Sequence, residues 1–152
     1  MTPSLTLLKE APKVTLDLSA GNAEEAILQT AKGLSGHPAI SDFPGFCKDL
    51  LEREGMSSTA MGHGLAFPHA RTRRTQDVVM AAGRCVKPVP FNGGQEVQLV
   101  FVLGAPPSGV AEYLAIVAAL TRRLRDSAVR EALLAAGTEE EFRRMLIGET
   151  SA

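Results

Sequence analysis

Val97-Gln98-Leu99-Val100-Phe101-Val102-Leu103 governs the architecture this sequence can adopt. Only Gln98 interrupts its apolar character, and valine and phenylalanine suit a pleated strand. An apolar run this short, without alternation, reads as a strand buried on both faces. Residues 77–86 predict a second strand, and Pro88, Pro90, Asn92, Gly93 and Gly94 punctuate the connection between the two. Residues 14–18 alternate apolar and polar side chains and predict another. Gly64-Leu65-Ala66-Phe67-Pro68 predicts a short strand that stops at Pro68, because proline donates no ladder hydrogen bond.

The intervening segments carry helical spacing. Residues 23–34 place Ile27, Leu28, Ala31 and Leu34 on one side. Residues 42–54 predict a second helix, capped by Ser41 or Asp42, with Pro44 in its first turn. Residues 55–64 have the small and polar character of a loop. Residues 112–125 predict a helix with Leu114, Val117, Ala118, Leu120, Thr121 and Leu124 along its apolar stripe. A further helix starts at Asp126 and ends at Gly137, read as its C-terminal glycine. Thr138-Glu139-Glu140-Glu141 resembles a capping box ahead of Phe142, Met145 and Leu146. No repeat or linker divides the chain, so residues 1–152 are expected to form a single α/β domain, a mixed sheet with helices packed on it.

Composition narrows the function classes. The chain has 152 residues, 45% apolar and 22% charged, enough for a soluble domain with its own core. A formal charge of -1 lacks the basic excess of a nucleic-acid binder. Cys47 and Cys85 are far apart, without a histidine at ligand spacing, which predicts reduced thiols and no zinc site. No run approaches the roughly 20 apolar residues of a membrane span. The opening residues lack the basic start, apolar run and cleavage site of a signal peptide. A cytoplasmic protein with no direct membrane insertion is expected. No GxSxG, HExxH or glycine-rich nucleotide loop points to a hydrolase, a metalloenzyme or a nucleotide enzyme.

The chemistry concentrates between Arg53 and Arg71. Gly62 and Gly64 permit close backbone approach and unusual dihedrals. The short apolar segment 64–68 anchors His69 at a strand end, and Pro68 fixes the backbone before it. Imidazole is a nucleophile near neutral pH because much of it is unprotonated. A phosphorylated imidazole needs donors for its oxygens, and Arg53, Ser57, Ser58, Thr59 and Arg71 stand nearby. A lone histidine after a strand is more often a satisfied surface or core residue, so these residues alone make His69 a candidate. His63, six residues before it, has no defensible metal spacing.

Arg53-Glu54, Ser58-Thr59 and Gly62-x-Gly64-Leu65-Ala66-Phe67-Pro68-His69-Ala70 together resemble the signature of the type-2 IIA domains of the bacterial phosphoenolpyruvate:sugar phosphotransferase system. This is the fructose/mannitol class, which includes the nitrogen-regulatory IIA proteins. The resemblance extends over residues 91–106, 114–124 and 131–146. It implies a three-layer α/β/α sandwich around a mixed sheet. It implies phosphorylation of His69, assisted by Arg53, with Ser58, Thr59, Gly62, His63 and Gly64 as a supporting loop. An HPr-like phosphoprotein would donate, and a cysteine on a IIB domain or a regulatory target would follow. No cofactor and no metal are implied. Leu65, Phe67 and Val110 would rim the site for docking.

The chain departs from the family pattern in two places. Many members carry a second histidine where Tyr113 precedes Leu114, and tyrosine is no proton-sharing imidazole at neutral pH. Tyr113 therefore sets an alternative expectation, a regulatory protein-binding module with weak or lost phosphorylation. Glycine is frequent at the places of Ser57 and Ala60, and asparagine at that of His63. A positive φ at Ala60, if its place requires one, would strain the loop slightly. His63 is expected to orient the loop as a polar substitute.

Overall fold

The structure, a computed structural model, describes Leu5, Leu8 and residues 10–148, so the expected domain span of 1–152 runs past the described residues at both ends. One mixed sheet contains β1 (Lys13–Leu18), β2 (Ala60–Gly62), β3 (Leu65–Ala66), β4 (His69–Arg71), β5 (Val79–Pro90) and β6 (Glu96–Ala105). The order is β1-β5-β6-β3-β2, with β4 also paired to β6. β5 and β6 are antiparallel, β1 is parallel to β5, and β3 and β4 are both parallel to β6. The helices are α1 (Ala23–Ala31), α2 (Phe43–Met56), α3 (Val110–Leu124), α4 (Ser127–Ala135) and α5 (Glu139–Ile147).

The apolar run at 97–103 forms the centre of β6, and Val100, Phe101, Val102 and Leu103 are each 0% exposed. Strand alternation sends their side chains to opposite faces. Leu99, Phe101 and Leu103 join Met80 and Ala82 under Ile116, Leu120, Leu124, Leu133 and Phe142 of α3, α4 and α5. Val100 and Val102 join Val79 and Ala81 under Ile27, Ala31, Phe46 and Leu50 of α1 and α2. The result is the expected α/β/α sandwich. Full burial of each such side chain contributes about 1.5–3 kcal/mol.

Three arginines cap helix ends across the second layer. Arg84 of β5 donates to the carbonyls of Leu133 and Ala136 at 3.0 and 2.6 Å. Arg123 donates to Met145 O, and Arg130 to Leu124 O. Each cation satisfies last-turn carbonyls that have no intrahelical partner.

Several boundaries differ from expectation. α1 ends at Ala31 and tightens into a 3-10 turn over Lys32–Leu34. α2 has Asp42 as its N-cap and continues to Met56. The expected loop at 55–64 contains β2, which pairs antiparallel with β3. The strand at 64–68 does not stop for good at Pro68. The Pro68 carbonyl accepts from Leu103 N–H at 2.9 Å, and β4 resumes the same pairing one residue later. Proline removes a donor but keeps its acceptor, so the ladder survives.

Gly137 is not the expected C-terminal glycine. Ala136 caps α4 with extended-type ψ, and Gly137 N–H donates to Glu141 Oε2 at 3.3 Å, at the start of α5. Thr138 Oγ1 accepts from Glu141 N–H, as the capping-box reading expects. On α3 the buried stripe is Ile116, Ala119, Leu120 and Leu124, whereas Leu114 is 58% exposed. Cys85 is buried and Cys47 partly buried, both free thiols whose pKa values burial pushes up.

Candidate functional site

β4 and β6 run in parallel with His69 opposite Leu103, Ala70 opposite Gly104 and Arg71 opposite Ala105. The chain leaves β6 through Pro106 and a 3-10 turn at Pro107–Gly109 and enters α3 at once. The first turn of α3 therefore stands beside the end of β4. The C-terminal half of α2 closes the third side. Between them lies an open depression of about 510 Å³, lined among others by Asp49, Glu52, Arg53 and Met56 of α2, His69 and Arg71 of β4, Arg74, and Val110, Tyr113 and Leu114 of α3. It sits at the carboxyl end of a parallel strand pair, where α/β sheets offer binding crevices.

His69 is partly buried, and its Nδ1 lies 3.0 Å from the carbonyl oxygen of Phe67. A carbonyl only accepts, so Nδ1 carries the proton and Nε2 keeps its lone pair. The backbone is held on either side by Leu103 N–H to Pro68 O at 2.9 Å and by Thr72 N–H to Ala105 O at 2.8 Å. The ring of Tyr113 packs against that of His69 with centroids 5.8 Å apart and planes tilted by 42°. Burial raises the Tyr113 pKa above its ordinary value, against the pull of Arg53 and Arg71. The phenol therefore remains protonated at neutral pH.

The cations differ in what they already hold. Arg53 donates from Nη1 to Ser57 O at 3.1 Å, which ties one nitrogen of its guanidinium to the end of α2. Arg74 is bound by Asp42 and Asp49, each at 2.9 Å. The Gly45 amide, and then Arg74, hold the Asp42 carboxyl below its usual pKa. No hydrogen bond or ion pair engages the Arg71 guanidinium among the described residues. Positions i and i+2 of a strand share a face, so Arg71 and His69 point the same way. The site can thus receive an anionic group on Nε2 beside the Arg71 guanidinium, the remaining nitrogens of Arg53 and a neutral phenol.

The expected supporting loop is elsewhere. Thr59 donates its N–H and hydroxyl to the buried Glu54 carboxylate at 2.9 and 2.6 Å. Ser58 Oγ accepts from Ala60 N–H. Ser57 accepts from Arg53 through its carbonyl and does not itself line the depression. His63 and Gly64 form the turn between β2 and β3, with φ of 56° and 76°, and Gly62 at the end of β2 has φ of 94°. The positive φ falls on His63 and not on Ala60. Asparagine and histidine tolerate this conformation better than most residues. His63 lines a separate depression with Gln98 and Arg130.

The expected docking rim is also corrected. Leu65 and Phe67 are each 6% exposed and belong to the core. Val110 does line the depression, but the exposed apolar side chains there are Met56, 80% exposed, and Leu114. Sequence reasoning missed both, together with the Asp49–Arg74 pair. Val110, Tyr113 and Leu114 are spaced i, i+3, i+4, a second helical face that was available as a signal. Among the described residues no group of three or more potential metal ligands occurs, and no helix is long and apolar enough to cross a membrane.

Fold and site together define a sandwich domain that presents one oriented imidazole, its Nε2 open, beside arginines. The chain belongs to the family described as phosphoenolpyruvate-dependent sugar phosphotransferase system, EIIA 2, whose pattern matches residues 8–148. It is 37% identical over 133 residues to the multiphosphoryl transfer protein of Salmonella typhimurium, covering 86% of this chain and 34% of that protein. The chain thus spans about a third of that relative's length. The crystal structure of nitrogen regulatory protein IIA-Ntr from Neisseria meningitidis matches with a TM-score of 0.79 at 27% identity, over 88% of this chain and 92% of that one. The mannitol enzyme IIA of Escherichia coli, solved in complex with phosphorylated enzyme IIB, shares the fold with a TM-score of 0.78 at 23% identity, over 93% and 99% of the two chains.

Proposed function

We propose that this domain carries a phosphoryl group on Nε2 of His69. An HPr-like phosphoprotein of the cytoplasm donates it, and a IIB-domain cysteine or a regulatory target receives it. The Nδ1 contact to Phe67 O carries this reading, because it leaves Nε2 as the nucleophilic lone pair. In the transfer, that lone pair forms the new N–P bond. The donor's N–P bond breaks, and its electron pair returns to the donor ring. The Nδ1 proton stays in its hydrogen bond to Phe67. Arg53 neutralises charge on the phosphoryl oxygens, and the donor is already activated, so positioning and electrostatics suffice. Family membership and the likeness to a multiphosphoryl transfer protein support the reading.

A regulatory outcome is the second reading, supported by the likeness to IIA-Ntr. About two negative charges on His69 would change which targets bind. A transporter gene beside this one favours the sugar relay, and a nitrogen sigma-factor operon favours regulation. Incubation with phosphoenolpyruvate, enzyme I and an HPr-type carrier tests both through mass. A gain of one phosphoryl group, lost in His69→Ala, is expected. No gain with several carriers leaves a binding module that has lost phosphorylation.

A further inference from the structure

We propose that Tyr113 and Arg71 hold the phosphoryl group on His69, the phenol and the guanidinium each donating to its oxygens, so that the site is completed without a second titrating ring. This rests on His69 as the carrier.

Arg71 is placed by strand geometry. It follows His69 by two residues on β4, shares its face, and both backbones are fixed by the register to Leu103 and Ala105. Of the three arginines around the depression, Arg74 is held by Asp42 and Asp49, and Arg53 has one nitrogen on Ser57. Arg71 alone has its whole fork available among the described residues. A guanidinium fork matches two phosphate oxygens at once.

Tyr113 approaches from α3. Its ring lies 5.8 Å from the imidazole, in the same depression. Nδ1 is turned to Phe67, so the phosphoryl group extends from Nε2, away from that hydrogen bond. The phenol feels both Arg53 and Arg71, which places it within the field that would receive the anion. A protonated phenol donates a hydrogen bond to a dianion, whereas a phenolate would repel it. Burial keeps it protonated. The other charged groups facing this space are Asp49, Glu52 and Arg53 from α2 and Arg71 and Arg74 from β4 and the loop after it.

Phosphoramidate tests the proposal without a protein partner. Its P–N bond breaks, ammonia leaves, and the phosphoryl group moves to Nε2. The measured quantities are the rate of mass gain across pH 6–9 and the tyrosine difference spectrum. Tyr113 is the only tyrosine and there is no tryptophan, so that spectrum reports this residue alone. Tyr113→Phe and Arg71→Gln, each folded by circular dichroism, should slow phosphorylation by about tenfold to a hundredfold. Wild type should show a red-shifted phenol band once phosphorylated. Tyr113→His should add to the rate profile a step near neutral pH that wild type lacks. Wild-type rates in both Tyr113→Phe and Arg71→Gln, or an unshifted phenol band in the phosphorylated protein, would overturn the proposal. A wild-type chain that gains no mass from phosphoramidate or from an HPr-type donor would instead overturn the His69 reading beneath it.

Discussion

His69 Nδ1 stands 3.0 Å from the carbonyl oxygen of Phe67, a residue that itself belongs to the core. One residue, Pro68, lies between them. The ring is therefore oriented by a backbone atom that a packed side chain holds still. Phe67 meets Phe101 edge-on with centroids 5.6 Å apart, which ties the imidazole's orientation to the centre of β6.

Arg53 is expected to matter for transfer far more than for stability. Arg53→Ala should lower the phosphorylation rate by about 100- to 1000-fold, the usual loss for one aimed donor. Arg53→Lys should recover part of it, since a lysine keeps the charge but not the fork. Quenched-flow mass analysis with an HPr-type donor measures both.

Tyr113 gives a pH signature in the unmodified protein. Its folded pKa is raised above the ordinary 10.0 by burial. The unfolded chain thus ionises first, so this residue's contribution to stability is full below pH 10 and is lost as pH rises through the folded value. Absorbance at about 295 nm should titrate with a midpoint above that of free tyrosine. Urea midpoints should fall above pH 10 more steeply in wild type than in Tyr113→Phe.

Glu54 closes the end of α2 onto β2 by accepting two hydrogen bonds from Thr59. Glu54→Ala leaves those donors without their partner and should cost about 1–3 kcal/mol. A lower urea midpoint with unchanged slope is the expected observation.

Gly104 pairs with Ala70 beneath α2, and a Cβ there would lie 2.6 Å from Phe46 Cε1. Phe46 is fully buried and cannot retreat. Gly104→Ala should destabilise by about 1–3 kcal/mol and lower the thermal midpoint, because overpacking strains a filled core.

How much of this was legible in the sequence depended on whether neighbours along the chain determined the answer. Residues 97–103 were read correctly because burial on both faces leaves an apolar run. β4 was not, because Pro68 signals a stop while its carbonyl still completes the ladder with Leu103. The nucleophile candidate and Arg53 were found in the ordered motif, and both do line one depression. Ser58 and Thr59 looked like phosphate donors, but short polar side chains satisfy nearby groups first, here Ala60 and Glu54. Leu114 was placed in the core because helical spacing gives a period without saying which face meets the sheet. The rim of Met56 and Leu114 exists only once α2 and α3 are set on either side of β4.

The central claim concerns one nitrogen atom. Protein labelled with ¹⁵N in its three histidines, His37, His63 and His69, should be phosphorylated and observed through its ring nitrogens. The account predicts coupling to phosphorus at Nε2 of His69 alone, with Nδ1 still protonated. Coupling at Nδ1 of His69, or at His63 or His37, would contradict it.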